Sequence, residues 1–360
     1  MRTFQRALSA VLLMLLAAPA FAQAPVKDRL ADSVDQGLAF LALMQEKDGA
    51  WQLGGTSHPA STSLAVMAFL SAGHVPGEGP YRTHVEKGIR WVLAQQQPSG
   101  LFGLPTWEEM YQHGISTLML CEVAGMTDAE TARELKPKIE KAVKVILQAQ
   151  RTEKNANRGG WRYRLDSTDA DMSVTGWQIL ALRAARNLGC DVPVERIDLA
   201  MEFVKQCQGP VPRAGEPRSR GFTYVPGGQV TAACTGTGVL TLELCGKDRH
   251  RSDEAKSGGS YLLDNPLKIN DRHFYYSAYY ASQGMFQLGG NYWTIFRPRL
   301  HKLLLESQQR NGSWINNEGQ GATFTTAMAI LALTVEYRLL PIYQRDDENG
   351  EMNRRDNSKN

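Results

Sequence analysis

Residues 166–182 read Asp-Ser-Thr-Asp-Ala-Asp-Met-Ser-Val-Thr-Gly-Trp-Gln-Ile-Leu-Ala-Leu, placing three carboxylates, Asp166, Asp169 and Asp171, just before an apolar run. Carboxylates at this spacing have two uses. One is acid chemistry at the mouth of a cavity, with aromatic faces nearby to steady a cation or stack on a sugar. Those faces would be Trp177 on the same run and the cluster Tyr275, Tyr276, Tyr279 and Tyr280 further on. The other use is structural. An Asp at the N-cap accepts backbone N–H groups of the first helical turn, worth ~1 kcal/mol, and the helix dipole favours its charged form. Asp169 or Asp171 as a cap is the simpler reading. Tyr111 and His113 precede a second apolar run in the same way and form a further candidate pair for ligand contact. A His at a helix start is equally at home as a hydrogen-bonded structural group. The four tyrosines fall into two i, i+4 pairs, so some face the interior of the fold and others its outer layer.

The elements that must position these residues come from a repeat. An amphipathic helix ends in Gln, a Gly-aromatic turn follows, and then a helix that is apolar nearly all round. Residues 45–51 (Gln-Glu-Lys-Asp-Gly-Ala-Trp) and 308–314 (Gln-Gln-Arg-Asn-Gly-Ser-Trp) show the turn most clearly, a second copy runs from Gln96 to Phe102, and two middle copies that lengthen the turn begin at Gln150 and Gln208. A fifth unit in chain order keeps its apolar helix at 275–289 without a Gln-to-aromatic turn, making six. The first helix type, with Leu30, Val34, Leu38 and Leu41 on one face, covers a surface; the second, such as residues 64–70 or 327–333, requires burial on every side. Six buried helices inside six amphipathic ones predict an all-α, single α/α toroid over residues 27–343. The connections into the inner helices are long and those leaving them, marked by Gly73, Gly125, Gly189, Gly246 and Gly289, are mostly shorter. The functional end is therefore expected where the N-termini of the inner helices converge, presenting partial positive charge and free N–H groups.

The Gln-x-x-Asp-Gly-x-Trp turn resembles the QW repeat of the squalene cyclase, terpene cyclase and protein prenyltransferase superfamily. Residues 171–178 and 279–287 resemble most closely the exported prenyltransferase/squalene-oxidase-repeat proteins of some bacteria. The resemblance implies the toroid and offers three activities. In class II cyclases the middle acid of Asp-x-Asp-Asp protonates an alkene; here Asp169-Ala170-Asp171-Met172 puts Asp171 at the acid's place and Met172 where the last Asp would stand. Protein prenyltransferases need Asp-x-Cys for zinc, and none of Cys121, Cys190, Cys207, Cys234 and Cys245 has Asp two residues before it. Thioester domains need Cys-x-x-Gln, which is also absent. No metal or cofactor is expected.

Residues 1–22 have Arg2 and Arg6 ahead of an apolar core and Ala20-Phe21-Ala22 behind it, the form of a secretory signal. Export to the periplasm or beyond is expected, with no transmembrane segment after signal removal. A net charge of +3 on 360 residues, with no basic run interleaved with aromatics, argues against nucleic acid as a partner. Disulfide pairing among five cysteines is not readable. Residues 344–360 are charged, lack apolar periodicity and are expected to be disordered. The function expected is an exported binding or scaffold toroid for an apolar, isoprenoid, carbohydrate or protein ligand. The alternatives are an atypical class II terpenoid cyclase with Asp171 as acid, and a polysaccharide-active toroid enzyme.

Overall fold

The protein is described by a computed structural model covering residues 28–103, 106–211, 219–248, 252–315 and 319–344. The proposed signal segment, and the charged tail beyond Gln344, lie outside the described residues. Among the described residues, twelve α-helices alternate between two concentric rings. The outer ring is α1 (Arg29–Leu43), α3 (Arg82–Ala94), α5 (Ala129–Ala149), α7 (Val194–Gln206), α9 (Asp253–Asp264) and α11 (Gly290–Ser307). The inner ring is α2 (Pro59–Ser71), α4 (Glu109–Gly125), α6 (Met172–Asn187), α8 (Ala232–Cys245), α10 (Phe274–Leu288) and α12 (Gly321–Leu333). Each inner helix packs on the next, and α12 returns to α2, so the inner ring is closed. Among the described residues β structure is limited to two two-residue hairpins, Gln52–Leu53 with Thr56–Ser57 and Phe222–Thr223 with Val230–Thr231, and three isolated bridges, Gln96 with Phe102, Trp161 with Asp171 and Gln208 with Phe222. No described helix is long and apolar enough to cross a membrane.

Hydrophobic patterning explains the layers. Every residue of α2 is buried, as are nearly all of α4, whereas α3 buries only Val85, Gly88, Ile89 and Val92. A helix apolar all round can satisfy itself only inside the ring.

The repeat turn is what joins neighbouring units. The side-chain amide of Gln45 donates to Gly49 O (2.9 Å) in its own turn and to His84 O (2.9 Å) on α3. Gln96 does the same with Gly100 O and Lys138 O on α5, and Gln150 with Gly159 O and Arg196 O on α7. Gln208 reaches Glu254 O on α9. Gln308 bonds Gly312 O (2.9 Å) and Ser33 O (2.8 Å) on α1, tying the last unit to the first. In the unit without the turn, Asn265 at the end of α9 bonds back to Tyr261 O instead. The glycine completes the joint. Gly312 has φ +86° and lies so close to α1 that a Cβ there would sit 2.2 Å from Gln36 O.

The tryptophans anchor each turn to its own helices. Trp51, Trp161 and Trp314 are fully buried, and each indole N–H donates to a carbonyl of the preceding outer helix: Leu41, Ile146 and Leu304. Of the glycines that mark exits from inner helices, Gly73, Gly189 and Gly289 take the left-handed conformation. Gly125 instead lies within α4, where Pro341 leaves no room for a Cβ, and Gly246 has φ −66°.

The end of the ring formed by the C-termini of the inner helices is filled by the chain itself. Leu340, Ile342 and Tyr343 are buried there; Tyr343 O accepts from the Gln287 amide (2.8 Å), and its hydroxyl bonds that of Tyr279. Ile342 N–H donates to Glu122 Oε2 (3.2 Å). Burial pushes the Glu122 carboxyl up to about 8, against the opposing pull of that bond. Cys121, Cys190, Cys207 and Cys234 are buried free thiols, and Cys245 is half-buried.

Two stability measurements test these joints. Gly312→Ala is expected to lower the melting temperature well beyond Gly54→Ala. Both residues have positive φ, costing an Ala of order 1 kcal/mol, but only Gly312 also faces a backbone collision. Equal losses would mean that the approach to α1 carries no weight. Glu122 keeps its proton in the folded chain up to about pH 8 but would lose it near 4.5 when unfolded. It therefore makes stability fall as pH rises through that window. Glu122→Gln, which keeps an acceptor for Ile342, is expected to flatten this slope and to stabilise the protein at pH 7.5 by on the order of 2 kcal/mol. A wild-type stability that rises with pH from 5 to 8, with the same slope in the variant, is the contrary result.

Candidate functional site

The residues at the N-cap positions of the six inner helices are His58, Glu108, Asp171, Thr231, His273 and Gln320. They converge because the inner helices run in one sense around the ring. Between them lies a cavity of about 1080 Å³, lined by five of the six. The exception is Asp171.

Asp171 is fully buried and caps α6: Oδ1 accepts from Ser173 N (2.9 Å), Val174 N (3.0 Å) and the Ser173 hydroxyl. Its other oxygen bonds Arg162 Nη1 (3.1 Å). Burial raises its pKa, opposed by these bonds from Ser173, Val174 and Arg162. Asp169 also pairs with Arg162, at 3.2 Å. Asp166 lies outside on the surface, paired with Arg164 at 3.0 Å, and that bond holds its carboxyl below the usual range. None of the three carboxylates lines the cavity. Sequence reading did not mark the two arginines. Arg162 donates as well to the Tyr224 hydroxyl (2.9 Å) and stacks over the rings of Tyr163 and Tyr224, with its guanidinium carbon 4.5 and 5.5 Å from their centroids.

His113 is a structural residue. In four units the backbone N–H of the turn aromatic donates to a threonine of the inner helix: Trp51 to Thr62, Trp161 to Thr175, Phe222 to Thr235 and Trp314 to Thr326. In the second unit Phe102 N–H donates to His113 Nδ1 (3.0 Å), leaving Nε2–H to donate to Ala142 O on α5 (3.0 Å). Full burial lowers its pKa to about 4, which keeps the ring neutral and both bonds intact.

Tyr111, Trp177 and Tyr276 do line the cavity. The Tyr111 hydroxyl bonds that of Ser173, and Tyr276 donates to Ser173 O (3.3 Å). Burial raises both phenols well above their ordinary range. Trp177 stacks on Tyr279 (5.4 Å, 11°) and meets Tyr276 and Tyr280 edge-on. Tyr275, Tyr279 and Tyr280 belong to the core, Tyr275 donating to Ile315 O (3.2 Å). Of the two i, i+4 pairs only Tyr276 and Tyr280 split, with Tyr276 alone among the four on the cavity wall.

The wall grades from apolar depth to polar rim. Ile115, Trp177 and Met328 are buried; Asp264, Asn265, Lys268, Asp271 and Arg272 on the α9–α10 connection are exposed. Trp107, 62% exposed, meets Tyr163 edge-on at 5.1 Å, and Tyr163 lies 5.7 Å from Tyr111. Four of the N-cap residues, His58, Glu108, His273 and Gln320, make no capping hydrogen bond. They meet in pairs instead: His58 Nε2 lies 3.1 Å from Glu108 Oε1, and Gln320 Nε2 3.5 Å from His273 Nδ1. Sequence reading passed over them, although the rule that marked Asp171, a polar residue just before an inner helix, applies equally to His58 and Glu108. Ligands favour such a concave, mainly apolar site with a few converging polar groups.

No curated protein matches the sequence. Solved structures with this fold include a type II terpene cyclase from Scytonema, at 13% identity and TM-score 0.57, covering 87% of this chain and 98% of that one. They include a cellobiose 2-epimerase from Bacillus thermoamylovorans, at 10% identity and TM-score 0.61 over 85% and 99% of the two chains. A glycoside hydrolase family 76 mannosidase from Bacteroides thetaiotaomicron follows at 10% and 0.56, over 86% and 100%. At such identities the likeness is one of fold. The sequence matches the prenyltransferase alpha-alpha toroid domain over residues 11–159 and 163–348. With twelve helices among the described residues in two rings, the inner one closed, and that match along nearly its whole length, the chain belongs to the prenyltransferase alpha-alpha toroid family.

Proposed function

We propose that this toroid is an exported binding protein that holds an apolar, ring-bearing ligand in the cavity at the N-terminal ends of its inner helices. The observation that carries this reading is the placement of Asp171. The residue at the place of a cyclase acid is turned into helix α6 and toward Arg162, away from the cavity, so it touches no ligand lying there. Its hydrogen-bonded routes to the cavity run through the Ser173 and Tyr111 hydroxyls and through Arg162 to the Tyr224 hydroxyl. A cavity of about 1080 Å³ walled by Trp177, Tyr111, Tyr276, Tyr224 and Phe324 fits a large apolar body and offers π faces on several sides. A second reading, carbohydrate binding or turnover, draws on the exposed Trp107 beside Tyr163 at the rim, a platform on which a sugar ring can stack. Fold relatives that include a mannosidase and a cellobiose epimerase support it at the level of architecture.

Incubating the purified protein with mixed polyprenyl lipids and oligosaccharides, then reading retained species by native mass spectrometry, tests both readings. Ala232→Trp fills the cavity from a half-buried wall position and is expected to cut retention at least about tenfold with little change in melting. Retention undiminished in that variant would place the ligand elsewhere.

Asp171 provides the test of mechanism. Asp171→Asn keeps an acceptor for Ser173 and Val174 and leaves Arg162 its partner Asp169. It is expected to destabilise less than Asp171→Ala, which removes the cap as well, at about 1–3 kcal/mol. Ligand retention is expected to stay within a few-fold of wild type in the Asn variant. Loss in that variant of a turnover that the wild type shows on a polyene or a sugar would establish the acid role and end the binding-only reading.

A further inference from the structure

Six helix N-termini meet at the cavity, and four of them are left without a side-chain cap. Ser, Thr, Asp and Asn are the residues that stabilise such ends, by ~1 kcal/mol each, as Asp171 and Thr231 do here. His58 and Glu108 forgo that gain and spend their polar atoms on each other across the gap between α2 and α4. A carboxylate only accepts, so the shared hydrogen belongs to His58 Nε2, which pins Glu108 Oε1 at 3.1 Å. Glu108 keeps 23% of its side chain exposed, lines the cavity, and has no partner for Oε2 among the described residues. His58 is 94% buried behind it, a relative exposure of 6%, with Nδ1 unpartnered among the described residues. Trp107 and Tyr111, each in ring contact with Tyr163, belong with it to the same part of the wall.

We propose that Glu108, oriented by His58, is the polar anchor of the cavity and accepts a hydroxyl hydrogen from a ligand whose ring lies against Trp107, Tyr111 and Tyr163. This rests on the reading of the cavity as the ligand site and deepens it. The ligand class is a ring-bearing alcohol, supplied either by an apolar cyclic alcohol or by a sugar. A hydrogen bond to a charged acceptor out of bulk water discriminates strongly against an analogue that cannot donate.

The test uses the full chain with two probes of like shape, 2-naphthol, which donates, and 2-methoxynaphthalene, which does not, bound in a fluorescence titration. Wild type is expected to prefer 2-naphthol at least about tenfold. Glu108→Ala, which removes no cap from α4, is expected to bring the two probes within about threefold of each other while leaving 2-methoxynaphthalene affinity within about twofold. His58→Gln, which retains an N–H toward Glu108, is expected to keep more of the preference than His58→Ala. A preference that persists in Glu108→Ala, or a wild type that favours the methoxy probe, overturns the assignment. Failure of both probes to bind defeats the cavity reading itself and this one with it, whereas methoxy binding that Ala232→Trp abolishes establishes the cavity independently of Glu108. In a parallel titration, displacement of 2-naphthol by cellobiose that Glu108→Ala abolishes assigns the hydroxyl to a sugar. No displacement assigns it to an apolar cyclic alcohol.

Discussion

The structure depends on one amide. A helical hairpin with a fully apolar second helix cannot bury that helix alone, so each unit is stable only against its neighbours. The glutamine at the end of an outer helix turns this need into a fixed geometry, because in four units (Gln45, Gln96, Gln150 and Gln308) its amide is shared between its own turn and the carbonyl row of the next outer helix. Two bonds of roughly 0.5–1.5 kcal/mol each are modest. Their consequence is directional: they set the spacing between adjacent hairpins, and the glycine beneath them lets the backbones touch. Applied by Gln308 to Ser33, the same bond joins the first and last units across 275 residues of chain.

Closure dictates where polar groups can gather. In a ring of alternating helices, all inner N-termini fall at one end and all inner C-termini at the other. At the C-terminal end the chain supplies its own filling, with Ile342 and Tyr343 meeting Glu122, Tyr279 and Gln287. At the N-terminal end the converging dipoles and unpaired N–H groups make a place where acceptors and anions are stabilised. Each N-cap residue there faces a choice between serving its own helix and serving the cavity. Asp171 and Thr231 serve their helices; His58, Glu108, His273 and Gln320 do not. His273 also holds φ +58°, a left-handed conformation that a non-glycine residue adopts at a cost. A helix start that is both uncapped and strained, beside a cavity, is the pattern of stability yielded at a functional position.

The architecture was legible in the sequence because it is written in periodicity. Helices apolar on all sides, recurring after a Gln-to-aromatic turn, admit few arrangements besides two concentric rings. The helix that caps at Asp171 was legible for the same local reason, since an N-cap is decided by residues two and three positions on. What was not legible is which side chains pair. Arg162 neutralises Asp169 and Asp171 from nine residues or fewer away, but its neighbour Arg164 takes Asp166, and only coordinates divide the three carboxylates between two arginines. His113 shows the converse: beside Tyr111 it has the look of a site, yet it substitutes for the threonine of other units and is consumed by two backbone bonds. His58 and Glu108, 50 residues apart, carry no motif at all.

The same comparison explains why a partial cyclase signature is uninformative in this chain. An Asp before an inner helix is favoured by capping alone, so its presence needs no catalytic cause. For a carboxylic acid to start a reaction it must meet the substrate, and access is a property of side-chain direction rather than of residue type. Asp171 and Glu108 occupy equivalent N-cap positions two helices of the chain apart, one turned into its helix and the other left open to the cavity. The difference lies in their partners. Ser173, which receives Asp171 on both its backbone and hydroxyl hydrogens, and Arg162 behind it hold that carboxylate inward. Among the described residues Glu108 has His58 alone as a side-chain partner, which braces it from the side and leaves its other oxygen without one. In a ring built from repeats, the chemistry of the cavity is therefore decided by which caps are excused from capping.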